Sequence, residues 1–241
     1  MQTQTFVAPA DFICPIFSIQ TKGDRDVLGD FLGTGFFLSD PKVFVTCAHV
    51  IRNETRLAIS HCPSGMSYRT SVLAVAESTD LALMNVDRYY PAAAAQITKQ
   101  IINTNHLVSC YDYSTVRRTS GETFPVNPAT RIGNVTRLLR REDRDVRFDQ
   151  ALEVSFPILH GASGAPILGP IGINDFALLG VGFGNVQYEA KPAVVYETLD
   201  EQNEIFEQVQ YMLPLGVAIN RMHLVNLLEK ETTFRFASLP R

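Results

Sequence analysis

Short apolar or alternating runs, each closed by a polar turn, recur along almost the whole chain. They fall at Ile13 to Gln20, Asp30 to Leu38, Lys42 to Thr46, Arg56 to Ser60, Ser71 to Val75 and Asp80 to Val86. The series continues at Leu107 to Tyr111, Arg131 to Leu139, Gln150 to Phe156, Ala165 to Leu168 and Phe176 to Phe183. Many short strands at this spacing point to an all-β sandwich or barrel rather than to alternating strand–helix units. A seam between two halves is expected near Tyr90 to Lys99, where Pro91 and a run of alanines interrupt the pattern. Two stretches have helical spacing instead. One is an insertion near 198–212, carrying Leu199, Ile205, Phe206, Val209 and Met212. The other is a C-terminal helix over 220–231, with Asn220 as its N-cap.

With 46% hydrophobic residues among 241, there is enough apolar material for a sizeable core. The formal net charge of −4 gives no footprint for nucleic acid and no pull toward anionic membranes. The arginines between Arg137 and Arg147 are interleaved with Glu142, Asp143 and Asp145, so a solvated hairpin is expected there. No stretch is long and apolar enough to span a bilayer, and the first residues lack a secretory pattern, so a cytoplasmic location is expected. Cys14, Cys47, Cys62 and Cys110 fit no zinc spacing. Without a secretory signal they are expected as free buried thiols.

Three phrases carry chemistry. In Phe44-Val45-Thr46-Cys47-Ala48-His49-Val50 a strand runs into a histidine beside small residues, a position suited to a partly shielded general base. In Ser78-Thr79-Asp80-Leu81-Ala82-Leu83 an aspartate opens an apolar strand. Set against His49, its carboxylate would fix the imidazole tautomer and stabilise the imidazolium. In His160-Gly161-Ala162-Ser163-Gly164-Ala165 a serine sits on a turn of small residues. The amides of Gly161 and Ser163, with help from Ala162, can converge on one point as an oxyanion hole. The order is His, Asp, Ser, separated by 31 and 83 residues, with the first two phrases in the first half and the third in the second. A triad at the interface of two β-barrels requires that arrangement.

The sequence here resembles the trypsin-like serine peptidase superfamily, most of all the protease domain of the bacterial high-temperature-requirement (Do-like) proteases. The likeness rests on Gly33-Thr34-Gly35-Phe36-Phe37-Leu38, Val45 to Val50, Thr79 to Leu83 and Leu215-Gly216-Val217-Ala218-Ile219. It implies a single chymotrypsin-like domain over 1–241 of two six-stranded antiparallel β-barrels. The N-terminal barrel would cover about 12–92, the C-terminal barrel about 100–219, and a helix would follow over 220–231. It also implies an endopeptidase acting on protein or peptide substrates without metal or organic cofactor. No PDZ module is expected after Lys230.

Ala162 stands where digestive proteases carry the aspartate that pairs with a freshly cut N-terminus, so competence without such processing is expected. Gly182-Phe183-Gly184 resembles the strand that pairs with substrate backbone. Pro157 occupies the pocket-floor position, where the lack of an acid argues against Lys/Arg preference. Phe156, Ile158 and Phe183 point to an apolar pocket. His160 stands either at its mouth or as an exposed loop residue. His61, His106 and His223 are assigned structural roles. Residues 185–214, acid-rich and longer than in relatives, are either a solvent-facing decoration or a lid and partner-docking element. Two other readings stay open: a processing protease dedicated to one partner or polyprotein, and an inactive protease-fold binding module.

Overall fold

The structure is a computed structural model, and it describes residues 8–92, 94–114, 128–140, 150–171, 176–186 and 215–239. The longest hairpin joins β1 (Ile13–Lys22) to β2 (Arg25–Phe37). Its two-residue connection places Gly23 at a φ of +61°, where lack of a Cβ removes the steric cost of a left-handed twist. β3 (Phe44–Cys47), β4 (Leu57–His61), β5 (Met66–Ala76) and β6 (Leu81–Val86) complete the first set. Their order is β1-β2-β3-β6-β5-β4, closed by Ile16 pairing with Ile59.

The second set is β7 (Leu107–Asp112), β8 (Ala129–Leu139), β9 (Ala151–Val154), β10 (Pro166–Pro170), β11 (Phe176–Val186) and β12 (Leu215–Asn220). It closes in the order β10-β11-β12-β9-β8-β7, with Ile167 paired to Cys110. The expected pair of six-stranded antiparallel barrels is therefore observed. Closure leaves neither barrel an unpaired edge.

All four residues of β3 are buried, although strand side chains alternate between faces. One face fills the first barrel and the other meets the second barrel. Large rings pack the first interior: Phe37 lies edge-on to Phe44 with centroids 5.0 Å apart. Tyr113 of the second half is fully buried, and its hydroxyl donates to the Ile13 carbonyl of β1 at 3.0 Å.

Between β3 and β4 lies a four-residue helix, α1 (Ala48–Ile51), too short to leave a periodic signal in the sequence. After β12 comes α2 (Arg221–Glu231), with the side chain of Asn220 accepting the Met222 amide at 3.0 Å, as the sequence implied. Leu224, Val225 and Leu228 bury its inner face. The helix expected near 198–212 lies outside the described residues, as do residues 141–147 of the hairpin expected between Arg137 and Arg147, whose first residues close β8. No helix among the described residues is long and apolar enough to cross a membrane. The four cysteines are free thiols, three of them buried and Cys62 half-buried.

Candidate active site

β3 ends at Cys47, and α1 begins at once, which lifts His49 out of the strand at the edge of the inter-barrel cleft. Opposite it, Asp80 occupies the left-handed region at a φ of +54°, a conformation that aspartate tolerates better than most residues. That turn gives the carboxylate two bonds to one partner. Oδ1 accepts the His49 amide at 2.9 Å, and Oδ2 meets His49 Nδ1 at 2.5 Å. The Asp80 carbonyl also accepts the Ala48 amide at 2.9 Å. Asp80 is nearly inaccessible, with 6% of its side chain exposed, while His49 keeps 37%. A buried carboxylate thus holds the imidazole by one nitrogen and leaves its far edge toward solvent.

Ser163 sits on the turn between β9 and β10. Gly161 (φ +91°) and Gly164 (φ +86°) flank it in conformations that side chains rarely adopt. At Gly164 space also forbids a side chain: a Cβ would lie 2.1 Å from the Thr34 carbonyl oxygen and 2.3 Å from Thr46 Oγ1. The turn is tied to the first barrel. Thr34 Oγ1 donates to the Gly161 carbonyl at 2.8 Å, and the Thr34 amide donates to the Ser163 carbonyl at 3.1 Å. Among the described residues, the Gly161 and Ser163 amides have no hydrogen-bond acceptor. The Ala162 amide differs from expectation: it donates to the Leu159 carbonyl at 2.9 Å and is turned away from any shared point. Ala162 is fully buried, its methyl in the core of the second barrel.

A β-bulge places the third element. In the β11–β12 register Gly182 pairs with Ala218 and Gly184 with Val217, which leaves Phe183 as the extra residue. Bulges re-aim side chains and release backbone groups from the ladder. Here the Phe183 carbonyl accepts the Ser163 hydroxyl at 3.2 Å, and its ring stands edge-on to His49 with centroids 5.8 Å apart. Phe183 therefore abuts both His49 and Ser163.

The specificity residues are distributed less simply. Phe156 and Ile158 are buried and pack into the core of the second barrel, so of the three apolar candidates only Phe183 is half-open to the cleft. Pro157 is half-buried and His160 is exposed. The Ile158 amide donates to Asn185 Oδ1 at 2.7 Å, which ties the segment before the serine turn to β11.

One set of three side chains among the described residues, Cys47, His49 and Asp80, brings metal-ligand atoms within 4.8 Å of one another. It does not suit a cation. Both Asp80 oxygens already serve His49. Cys47 Sγ is fully buried and donates to the Gly182 carbonyl at 3.3 Å. Burial, reinforced by the nearby Asp80 charge, pushes that thiol well above its ordinary pKa and opposes the thiolate a metal needs.

Comparisons with known proteins agree with this architecture. Residues 33–172 match the trypsin-like peptidase domain family, and the chain belongs to that family. An uncharacterized protein, y4bJ, of Sinorhizobium fredii (strain NBRC 101917 / NGR234) is 31% identical over 140 residues. The match covers 58% of this chain and 20% of the relative, so the chain spans about a fifth of that protein's length. Among solved structures, the HtrA-type protease AlgW with a decapeptide superposes with a TM-score of 0.64 at 13% identity. That match covers 92% of this chain and 64% of AlgW. An inactive serine-to-alanine mutant of Rv3671c from M. tuberculosis H37Rv gives a TM-score of 0.60 at 17% identity, covering 96% and 90%. At such identities the likeness concerns the fold.

The sequence offers little signal for the bulge at Phe183 and none for the partners of Thr34, Thr46 and Cys47. These depend on contacts between segments up to 135 residues apart. A glycine on either side of Phe183 was the available hint, since glycine inside a strand often marks a bulge.

Proposed function

We propose that this protein is a serine endopeptidase that cleaves protein or peptide substrates through an acyl-enzyme, with His49, Asp80 and Ser163 as its triad. The observation that carries the reading is the doubly bonded Asp80–His49 pair facing Ser163 across Phe183. Rotation about the Ser163 Cα–Cβ bond turns the hydroxyl from the Phe183 carbonyl toward His49 Nε2. His49 then takes the proton as Ser163 attacks the scissile carbonyl, and Asp80 stabilises the imidazolium. The amides of Gly161 and Ser163 receive the oxyanion. His49 returns its proton to the leaving amine, and water, activated by the same imidazole, releases the acid. A substrate strand pairs with the backbone of Phe183 and Gly184, beyond Val181, the last β11 residue paired with β10; Gly182 adjoins this stretch with its amide and carbonyl already bonded to Ala165 and Gly164.

A fluorophosphonate probe followed by intact mass tests this. One adduct is expected on the wild type and none on Ser163→Ala or His49→Ala. A wild type that stays unlabelled, or a label that survives Ser163→Ala, removes the reading and leaves a protease-fold binding module. For a protease dedicated to one partner, the 185–214 stretch is the docking element we assign. Replacing 186–213 with a short Gly-Ser loop should change which protein substrates are cut, and unchanged specificity would dismiss that assignment.

A further inference from the structure

Ala162 supplies no carboxylate, so the ion pair that locks the serine turn of digestive proteases cannot form here. Something else must hold two glycine-flanked amides on one point. Thr34, fully buried on β2, is placed to do so. All of its hydrogen-bonding capacity goes to the seam between the barrels. Its hydroxyl donates to the Gly161 carbonyl at 2.8 Å and accepts the Tyr113 amide at 3.2 Å. Its amide donates to the Ser163 carbonyl at 3.1 Å. Its own carbonyl accepts the Thr46 hydroxyl at 2.8 Å, and Pro15, opposite it in the register, has no N–H to offer.

We infer that Thr34 is a positioning residue for the oxyanion hole, a clamp from the first barrel that stands in for the activation ion pair. This rests on the serine-endopeptidase reading above. Peptide units are planar, so fixing a carbonyl fixes the amide beyond it and limits rotation of its neighbour. Thr34 fixes the carbonyls of Gly161 and Ser163, which belong to the two peptide units on either side of the Ala162–Ser163 amide. The same two units are also bonded within the second barrel, the Ala162 amide to the Leu159 carbonyl at 2.9 Å and the Gly164 amide to the Gly182 carbonyl at 2.8 Å, so Thr34 is the tie that fixes the turn against the first barrel.

The test uses Thr34→Val, which keeps the shape and loses the hydroxyl, and Thr34→Ser, which keeps the hydroxyl. Two readouts are taken: the rate constant for fluorophosphonate labelling of Ser163, and amide hydrogen exchange at Tyr113 and Ala162. Thr34→Val should label about 10- to 100-fold more slowly, less than the loss of a direct oxyanion donor. KM for a peptide substrate should stay within about twofold, and the Tyr113 and Ala162 amides should exchange faster. Thr34→Ser should restore the labelling rate and the protection of both amides. If Thr34→Val does not fold, Thr34→Ala, which leaves room for water at both partners, takes its place. Labelling of the hydroxyl-free variant at the wild-type rate overturns the clamp. If the wild type itself is not labelled, the endopeptidase reading falls, and exchange decides the clamp alone. Unchanged protection in Thr34→Val then sinks it, and lost protection upholds it as the device that holds the turn.

Discussion

The two barrels share a topology but are filled and used differently. The core cluster of the first holds the rings of Phe17, Phe36, Phe37 and Phe44 on both faces of its sheet, and it runs across the seam to Val181, Ile219 and Leu228. The second interior is a smaller, separate cluster in which Ala162, Ala165, Ala177 and Ala218 stand among the aliphatic side chains. The first barrel holds His49 and Asp80 by its own strand ends and turns. The second carries Ser163 on a turn whose carbonyls are fixed by Thr34 of the other barrel. One barrel thus holds its pair by its own bonds, and the other holds its turn both from within, through Ala162 to Leu159 and Gly164 to Gly182, and through its neighbour. Small side chains around Ser163 fit the tie to the neighbour, because bulky ones would keep the turn from nesting against β2 and β3.

Substitutions can break this contrast. The largest effect is expected from Asp80→Asn, which keeps the shape but supplies the wrong hydrogen-bond partner to Nδ1. Turnover of a peptide substrate should fall about 10⁴-fold with stability nearly unchanged, and a loss under tenfold would mean His49 needs no orienting group. Next is Phe36→Ala in the aromatic-filled barrel. Urea unfolding should report a loss of about 3–5 kcal/mol from a fully buried ring. A loss below about 1 kcal/mol would show that the ring-filled core is not where stability resides.

Gly164→Ala attacks the side tied to its neighbour. Its new methyl meets the Thr34 carbonyl and the Thr46 hydroxyl. Labelling of Ser163 should slow by at least about 100-fold, comparable to losing one oxyanion donor. Full labelling would show the turn is not held against the first barrel. Asn220→Ala removes only the α2 cap. It should lower stability by about 1 kcal/mol and leave turnover intact, and a matching fall in turnover would tie α2 to the site.

The smallest effect is a pH dependence on the wall of the first barrel. Burial holds the His61 imidazole below its ordinary pKa, with Asp11 pulling more weakly the other way. The unfolded chain therefore takes up this proton first as the pH falls through about 6.5. Stability from this group is intact above that pH and declines below it. His61→Asn should flatten the fall in Tm between about pH 7 and pH 5. An unchanged curve would assign the pH dependence to other groups.

The fold, and the phrases that carry the proposed triad, were readable in the sequence for a physical reason. Acyl transfer needs particular functional groups, and those groups need small neighbours, so the phrases around His49, Asp80 and Ser163 stand out locally. Alternation exposed most strands, but β5 extends five residues before the expected Ser71, from Met66. It is largely exposed along its length, so no apolar period marks its start. The Ala162 amide, expected to assist the oxyanion donors, is bonded to Leu159 instead, because a string of small residues does not reveal which peptide unit turns inward. Phe156 and Ile158 looked like pocket residues for a similar reason, since apolar character alone does not separate a cleft wall from a core. Thr34 was visible only as the middle of a Gly-Thr-Gly strand, since its hydroxyl partners lie 127 and 79 residues away.

Cys47, two residues before His49, has a consequence for how this protein is classified by reagents. A cysteine beside a histidine held by a buried carboxylate invites assignment to the thiol hydrolases. This one is sealed beneath the histidine, its S–H given to the Gly182 carbonyl and its ionisation suppressed by burial. Alkylating agents require thiolate and access, and find neither here. Iodoacetamide at neutral pH should therefore leave turnover untouched while a fluorophosphonate abolishes it. Screening by thiol reactivity alone would pass over this protein despite the cysteine in its most recognisable phrase.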